Sequence, residues 1–179
     1  MNVAIVAANA QEALQMLRTL HAASSAAARS DLQVDDEPGG PIYMTDIRFP
    51  GMKVGDDALW LQLFATGLDG ARLAAVARGA HVLLLVADAR DQAALNDGAP
   101  WDRLRAGATI DPTKDVLAHV HLLATHADAP IVATTDEIAE CTQLSFASVT
   151  TCPAGLHAAA AVAALKAVVK DIVTAHRGA

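Results

Sequence analysis

Cys152 stands immediately before Pro153 at the head of a long helical pattern, where the positive end of a helix dipole favours a thiolate and hence a nucleophile. His157 is close in sequence, but no Asn or Asp at an obvious spacing completes a triad, so a small buried or half-buried residue is the simpler reading of Cys152. His119, His121 and His126 invite a metal reading. On the helix that their surroundings predict, 119 and 121 point to different sides, and 119 and 126 lie two turns apart, too wide for a chelating pair. Asp88 and Asp91 flank Arg90 after the most apolar run of the chain; at the carboxyl end of a parallel sheet such residues can face a ligand crevice, although solvated loop charges are the more common case. Asp136 sits where an N-cap would open a short helix over 137–142.

Phosphate chemistry would need a different set of residues. A cradle at a strand-to-helix turn uses glycines, so that backbone N–H groups can close around the oxygens, a lysine, and a Ser/Thr hydroxyl for magnesium. The first such turn here is Ala7-Ala8-Asn9-Ala10-Gln11-Glu12, with none of these. The first glycine is Gly39 and the first lysine Lys53, so no small shift of alignment supplies them. Glu12 adds a negative charge to the first helical turn, which suits the dipole and competes with a bound phosphate.

At 179 residues with 53% hydrophobic and 18% charged residues, the chain has the size and composition of one globular domain spanning 1–179. A formal charge of -7 excludes a general nucleic-acid or anionic-membrane binder, and 3% aromatic content leaves few rings for base stacking. Two cysteines are too few for a disulfide framework, and no basic segment followed by an apolar stretch opens the chain, so the expected location is cytoplasmic. No apolar run is long enough for a membrane span.

Several elements must position these residues. Residues 2–7 form an apolar strand pattern, and from Ala10 the spacing becomes helical. The Ala/Ser-rich stretch 22–40, with Asp35-Asp36-Glu37 and Pro38-Gly39-Gly40, reads as a mobile loop. Strands are expected at 42–49 and 59–65, joined through Gly55-Asp56, and Pro50-Gly51 should stop the first. A short helix over 71–79 and a buried strand over 82–86 follow. The stretch 91–108 is ambiguous, with a breaker at 96–100 and a possible helical turn at 101–105. A helix from the Asp111-Pro112 cap to about 127 would carry Val116, Leu117, Val120, Leu123 and Ala124 on one side. A strand over 130–134, a helix over 136–142, a strand over 145–149 and a helix over 156–176 complete the chain. Alternating strands and helices, with one hairpin inserted, imply an α/β sandwich.

That order, at this length, resembles the small Ras-like GTPases. Trp60-Leu61-Gln62-Leu63-Phe64-Ala65-Thr66-Gly67 is similar to the strand leading into their magnesium-binding Asp-x-x-Gly loop. Ala80-His81-Val82-Leu83-Leu84-Leu85-Val86-Ala87-Asp88-Ala89 is similar to a segment of the bacterial gliding-motility branch, as is Phe146-Ala147-Ser148-Val149-Thr150 before the closing helix. The resemblance implies a three-layer, P-loop-NTPase-type sandwich with a mostly parallel six-stranded sheet, one antiparallel edge strand and helices on both faces.

The departures from the family pattern decide the function it implies. The guanine-reading Asn-Lys-x-Asp falls at Ala133-Thr134-Thr135-Asp136, which keeps only Asp136, and the magnesium aspartate falls at Phe64 or Ala65. The nucleotide-binding positions are therefore degenerate at Ala8, Gln11, Glu12 and Asp136, no cofactor or metal is expected, and phosphoryl transfer has no machinery left. The implied protein is a pseudo-GTPase, a non-catalytic regulatory or scaffolding domain in a bacterial polarity, motility or signalling system. Its partner would be a genuine small GTPase, a roadblock-type regulator or a second copy. The surface implied by the switch-like segments comprises Tyr43, Ile47, Phe49, Trp60, Leu68, Arg72 and Leu73, some of which must face the core. The other class of function is an enzyme or nucleotide-dependent switch using the crevice at the strand carboxyl ends, through Cys152, Asp88 or Asp136.

Overall fold

The structure, a computed structural model, describes residues 1–54, 57–108 and 119–177. Among these residues seven strands form one sheet, in the order β2-β3-β4-β1-β5-β6-β7. They are β1 (Asn2–Ala7), β2 (Gln33–Asp35), β3 (Ile42–Val54), β4 (Asp57–Gly67), β5 (Val82–Asp88), β6 (His119–Thr125) and β7 (Ser148–Cys152). The helices are α1 (Ala10–Ala23), α2 (Leu73–Gly79), α3 (Gln92–Asn96), α4 (Gly98–Ala108), α5 (Thr135–Thr142) and α6 (Ala158–Arg177). Strands β4, β1, β5, β6 and β7 run parallel, and β3 is antiparallel to both β2 and β4.

The chain is an α/β three-layer sandwich. On one face α1 contributes Ala13, Met16, Leu17 and Leu20, and α6 contributes Ala161, Leu165, Val168 and Val169, against Val3, Ile5, Leu61, Leu63 and Leu84. On the other face Leu73 and Val76 of α2, Leu95 of α3, Trp101 and Leu104 of α4, and Ile138 of α5 pack on Val6, Leu83, Leu85 and Leu122. Because β1 lies between β4 and β5, with α1 and α2 on opposite faces, the strand order reverses beside β1. Ligands of open α/β sheets bind outside the carboxyl ends at such a reversal.

Four readings from sequence are corrected. Residues 119–125 are strand β6 where a helix is expected; the remainder of that expected helix, 111–118, lies outside the described residues. Both faces of β6 are covered, with Val120, Leu122 and Ala124 on one side and His121, Leu123 and Thr125 on the other, so no polar face betrays period two. The stretch 130–134 is not a strand; it leads into the helix cap at Thr134, with Ala133 N–H bonded to the Ala89 carbonyl. Pro50-Gly51 does not end β3, which continues to Val54 through a register shift between Arg48 and Lys53, a site where a sheet tolerates proline. The intervening Gly55 and Asp56 lie outside the described residues.

The fourth correction concerns 22–40, where a mobile loop is expected. This segment supplies a 3-10 turn at Ala26–Ala28 and the seventh strand, β2. Ser30 N–H donates to the Asp46 carbonyl at 2.9 Å, and Asp46 N–H donates to Ser30 Oγ at 2.8 Å. Arg72 meets Asp35 at 2.6 Å and Glu37 at 3.9 Å. The acidic trio is thus partly neutralised instead of repelling itself.

Candidate functional site

At the reversal beside β1 the first turn of α1 is engaged by the protein's own groups, and a cleft of about 320 Å³ lined by Ala10, Thr66, Gly67, Asp69 and Gly70 lies against it. Asn9 caps α1, its Oδ1 accepting from Glu12 N–H at 3.0 Å while its Nδ2 donates to Glu12 Oε1 at 2.9 Å. This reciprocal pair takes one of the free N–H groups a phosphate would use and sets a carboxylate beside the rest. Gly67, at the end of β4, packs directly on the helix start. A Cβ on Gly67 would lie 2.4 Å from Ala10 N, 2.7 Å from the Asn9 carbonyl carbon and 2.1 Å from Asp69 Oδ1. Ala8 is half-buried there and Gln11 is exposed.

Next to this closure a cleft of about 340 Å³ opens at the carboxyl ends of β5 and β6, lined by Glu12, Asp88, Thr125, His126, Gly155 and Leu156 among others. Strand register places Asp88 beside Thr125 and Thr125 beside Cys152. Arg90 grips Asp88 through two side-chain bonds of 3.0 and 2.7 Å, which hold the Asp88 carboxyl below the usual carboxylate range. His126 adopts φ 55°, uncommon for a residue with a Cβ, and its buried Nδ1 sits 3.2 Å from Asp88 Oδ2 outside hydrogen-bonding geometry. Gly155 leaves room for the ring, since a Cβ there would be 3.2 Å from His126 Nε2. With Arg90 engaged by Asp88, the carboxylates of Glu12 and Asp88 make this cleft poorly suited to phosphate.

Of the residues expected in that crevice, Asp88 lines it and the other two do not. The Cys152 thiol is fully buried and donates to the Gly155 carbonyl at 3.3 Å, as a small core residue would. His157 is engaged at the start of α6, where its Nδ1 accepts from Ala160 N–H. Asp136 is exposed in the first turn of α5, and the cap is Thr134, which forms a capping box with Glu137. Asp91 caps α3 by accepting from Ala94 N–H.

At the opposite, amino-terminal edge the sheet holds a hydrogen-bonded chain that the helical reading of 111–127 concealed. On strand β6, His119 and His121 share a face. Asp171 Oδ2 of α6 lies 2.6 Å from His119 Nδ1 and 3.1 Å from His121 Nε2, and Ser148 Oγ lies 2.6 Å from His121 Nδ1. Serine, imidazole and carboxylate in this sequence could form a nucleophile relay. The imidazole is only 1% exposed, however, and stands at the wrong end of the parallel strands for a ligand. Its evident work is to tie β6, β7 and α6 together. Among the described residues no group of His, Cys, Asp and Glu could hold a metal ion.

Burial pushes the His121 imidazole below its ordinary pKa, with Asp171 opposing the shift. The unfolded chain therefore takes up this proton first as pH falls past about 6.5. Stability from neutral His121 is complete above that value and is lost as pH falls toward the lower folded pKa. Urea midpoints should drop between pH 7.5 and 5.5, and His121→Asn should flatten the drop. Asp35 and Asp88, whose carboxyls are lowered, lose their contributions only as pH falls through about 4. An unchanged slope in the variant would assign the acid sensitivity elsewhere.

The expected partner surface divides. Ile47 and Leu73 are fully buried and Leu68 is 3% exposed, so these three belong to the core. Tyr43 is half-buried against the α1 side. Arg72 is engaged by Asp35 and Glu37. Trp60 is 45% exposed with the Arg48 guanidinium 5.9 Å from its ring centroid. The Phe49 side chain lies outside the described residues.

The geometry defines an α/β three-layer protein whose first helix start, beside the strand-order reversal, is engaged by its own Asn9–Glu12 cap. No protein-family model matches the chain, and no curated protein matches it. Among the described residues, no helix is long and apolar enough to cross a membrane.

Proposed function

We propose that this chain is a non-catalytic, Ras-like pseudo-GTPase that works as a protein-interaction or regulatory scaffold in a bacterial polarity, motility or signalling system. The carrying observation is the capped helix start, where Asn9 and Glu12 engage one of the N–H groups that a nucleotide's phosphates would use and set a carboxylate beside the others. The hairpin strand β3, antiparallel within an otherwise mostly parallel sheet, supports the likeness on which the reading rests. The partner would be a genuine small GTPase, a roadblock-type regulator or a second copy, met in the cytoplasm, with no role for nucleic acid.

Calorimetric titration of GTP, GDP and ATP with magnesium should give no binding at micromolar affinity, which would correspond to about 8 kcal/mol. Gln11→Lys should not restore it, because the glycines that let backbone approach phosphate are still missing. Micromolar, magnesium-dependent binding by the unmodified protein would refute the proposal.

A second reading, an enzyme or nucleotide-dependent switch, draws on the carboxyl-end cleft and the unusual backbone of His126. If the family likeness holds, the guanine-reading segment follows strand β6 and is Thr125-His126-Ala127-Asp128, instead of 133–136. It would retain its aspartate as Asp128, with Thr-His in place of Asn-Lys. Guanosine, which has no phosphate, separates the readings: saturable binding lost in Asp128→Ala favours a surviving base pocket.

A further inference from the structure

The two faces of the β3–β4 hairpin are finished differently. On one side Leu59, Leu61, Leu63 and Ile47 are 0–8% exposed beneath α1. The other side carries Met44, Phe64 and Trp60, and among the described residues the only helix beside it is α2, seven residues long, which leans toward α4. Between α2 and β3 lies a groove of about 250 Å³, lined by Ile42, Met44, Phe64, Ala75 and Val76, with the Asp35–Arg72 ion pair also on its wall. Strand alternation continues that face through the polar pair Asp46 and Gln62 to Trp60, paired in register with Arg48. Among the described residues, therefore, no helix layer beyond α2 covers this side of the hairpin.

We infer that this groove seats an amphipathic α-helix of a protein partner, lying with its amino end toward Asp35–Glu37 and its carboxyl end toward Arg48. The inference rests on the scaffold reading above and names the chemistry of the partner. An added strand does not fit, because the groove is a sheet face and the main-chain groups of β3 and β4 already pair with their neighbours. A helix fits in length. From Ile42 to Arg48 the face runs about 20 Å, or about 14 helical residues, and α1, which covers these strands on the opposite side, has 14. Charge sets the direction: at one end the exposed Asp36 and Glu37 leave net negative charge beyond the Asp35–Arg72 ion pair, which suits the positive amino end of a helix dipole, and Arg48 at the other complements the negative carboxyl end. Trp60 and Arg48 are also residue types that dominate binding energy when an interface desolvates them.

The test uses a phage-displayed library of helix-biased 16-residue peptides, selected on the full chain and measured by calorimetry. Enriched sequences should show apolar residues at i, i+3, i+4 and i+7, with an acidic residue near the carboxyl end. Trp60→Ala and Ala75→Glu, both at exposed positions, should weaken them by about tenfold or more with unchanged thermal melting. Arg48→Glu should do the same and be rescued by replacing the peptide's acidic residue with lysine. Enriched peptides without helical period, or ones indifferent to all three substitutions, would overturn the helix seat while leaving the scaffold reading in place. Failure to enrich any peptide would overturn the seat as well. Nucleotide titration, which does not report on this groove, tests the scaffold reading separately.

Discussion

Gly67→Val should lower stability by about 3 kcal/mol, and Gly67→Ala by somewhat less, the upper part of the range for overpacking a close-packed site. The Asp69 carboxylate near the new Cβ can swing away, but Ala10 N and the Asn9 carbonyl carbon, at 2.4 and 2.7 Å, are backbone. Relief requires the start of α1 to separate from the end of β4, disturbing the Leu68 N–H bond to the Ala7 carbonyl. Gly79→Ala is the matched control, since nothing lies within 4 Å of its added methyl. At the end of α2 that change should stabilise by up to about 1 kcal/mol. Urea midpoints for the three variants check the contrast. A Gly67→Val protein as stable as the parent would mean that the junction closing the reversal is loose, and the case against a phosphate site there would weaken with it.

Trp101→Ala should cost about 3–5 kcal/mol, the usual penalty for emptying a buried aromatic site, whereas Trp60→Ala should stay within about 0.5 kcal/mol of the parent. Trp101 is 2% exposed and its Nε1–H donates to the Leu95 carbonyl at 3.0 Å, fastening α3 to α4 over the sheet. Loss of the ring removes both the filling and the donor. Trp60, by contrast, is 45% exposed. Chemical unfolding followed by far-UV circular dichroism reads both effects without relying on tryptophan fluorescence. A large loss on Trp60→Ala would make that ring part of the core and remove it from any partner surface.

Much of the fold was legible because local chemistry and tertiary environment agree. The run Val82-Leu83-Leu84-Leu85-Val86 has the continuous apolar character of a doubly covered strand, and it is the strand β5 at the centre of the parallel set. Of the breaker expected at 96–100 only Asp97 lies between helices, since α3 runs to Asn96 and α4 already begins at Gly98. Segment 119–125 carried too little local information: every second residue of a central strand is apolar for a different layer, and the histidines are polar residues satisfied by a distant partner, Asp171. Strand β2 was hidden for a related reason, since its order depends on pairing with β3 and on Arg72.

Residue types alone establish that no glycine-rich, lysine-bearing phosphate cradle follows β1, because that chemistry resides in residues at fixed local spacing. They also establish the alternation that makes an α/β sandwich, because amphipathic periods are local. Only the folded arrangement shows that Gly67 packs on the start of α1, that Ser148, His121, Asp171 and His119 form one chain, and that Trp60 is open while Ile47, Leu68 and Leu73 are core. Each of these depends on residues brought together from distant parts of the chain, and on which face of a strand or helix the neighbouring layer covers. Spacing along a single element carries no record of either.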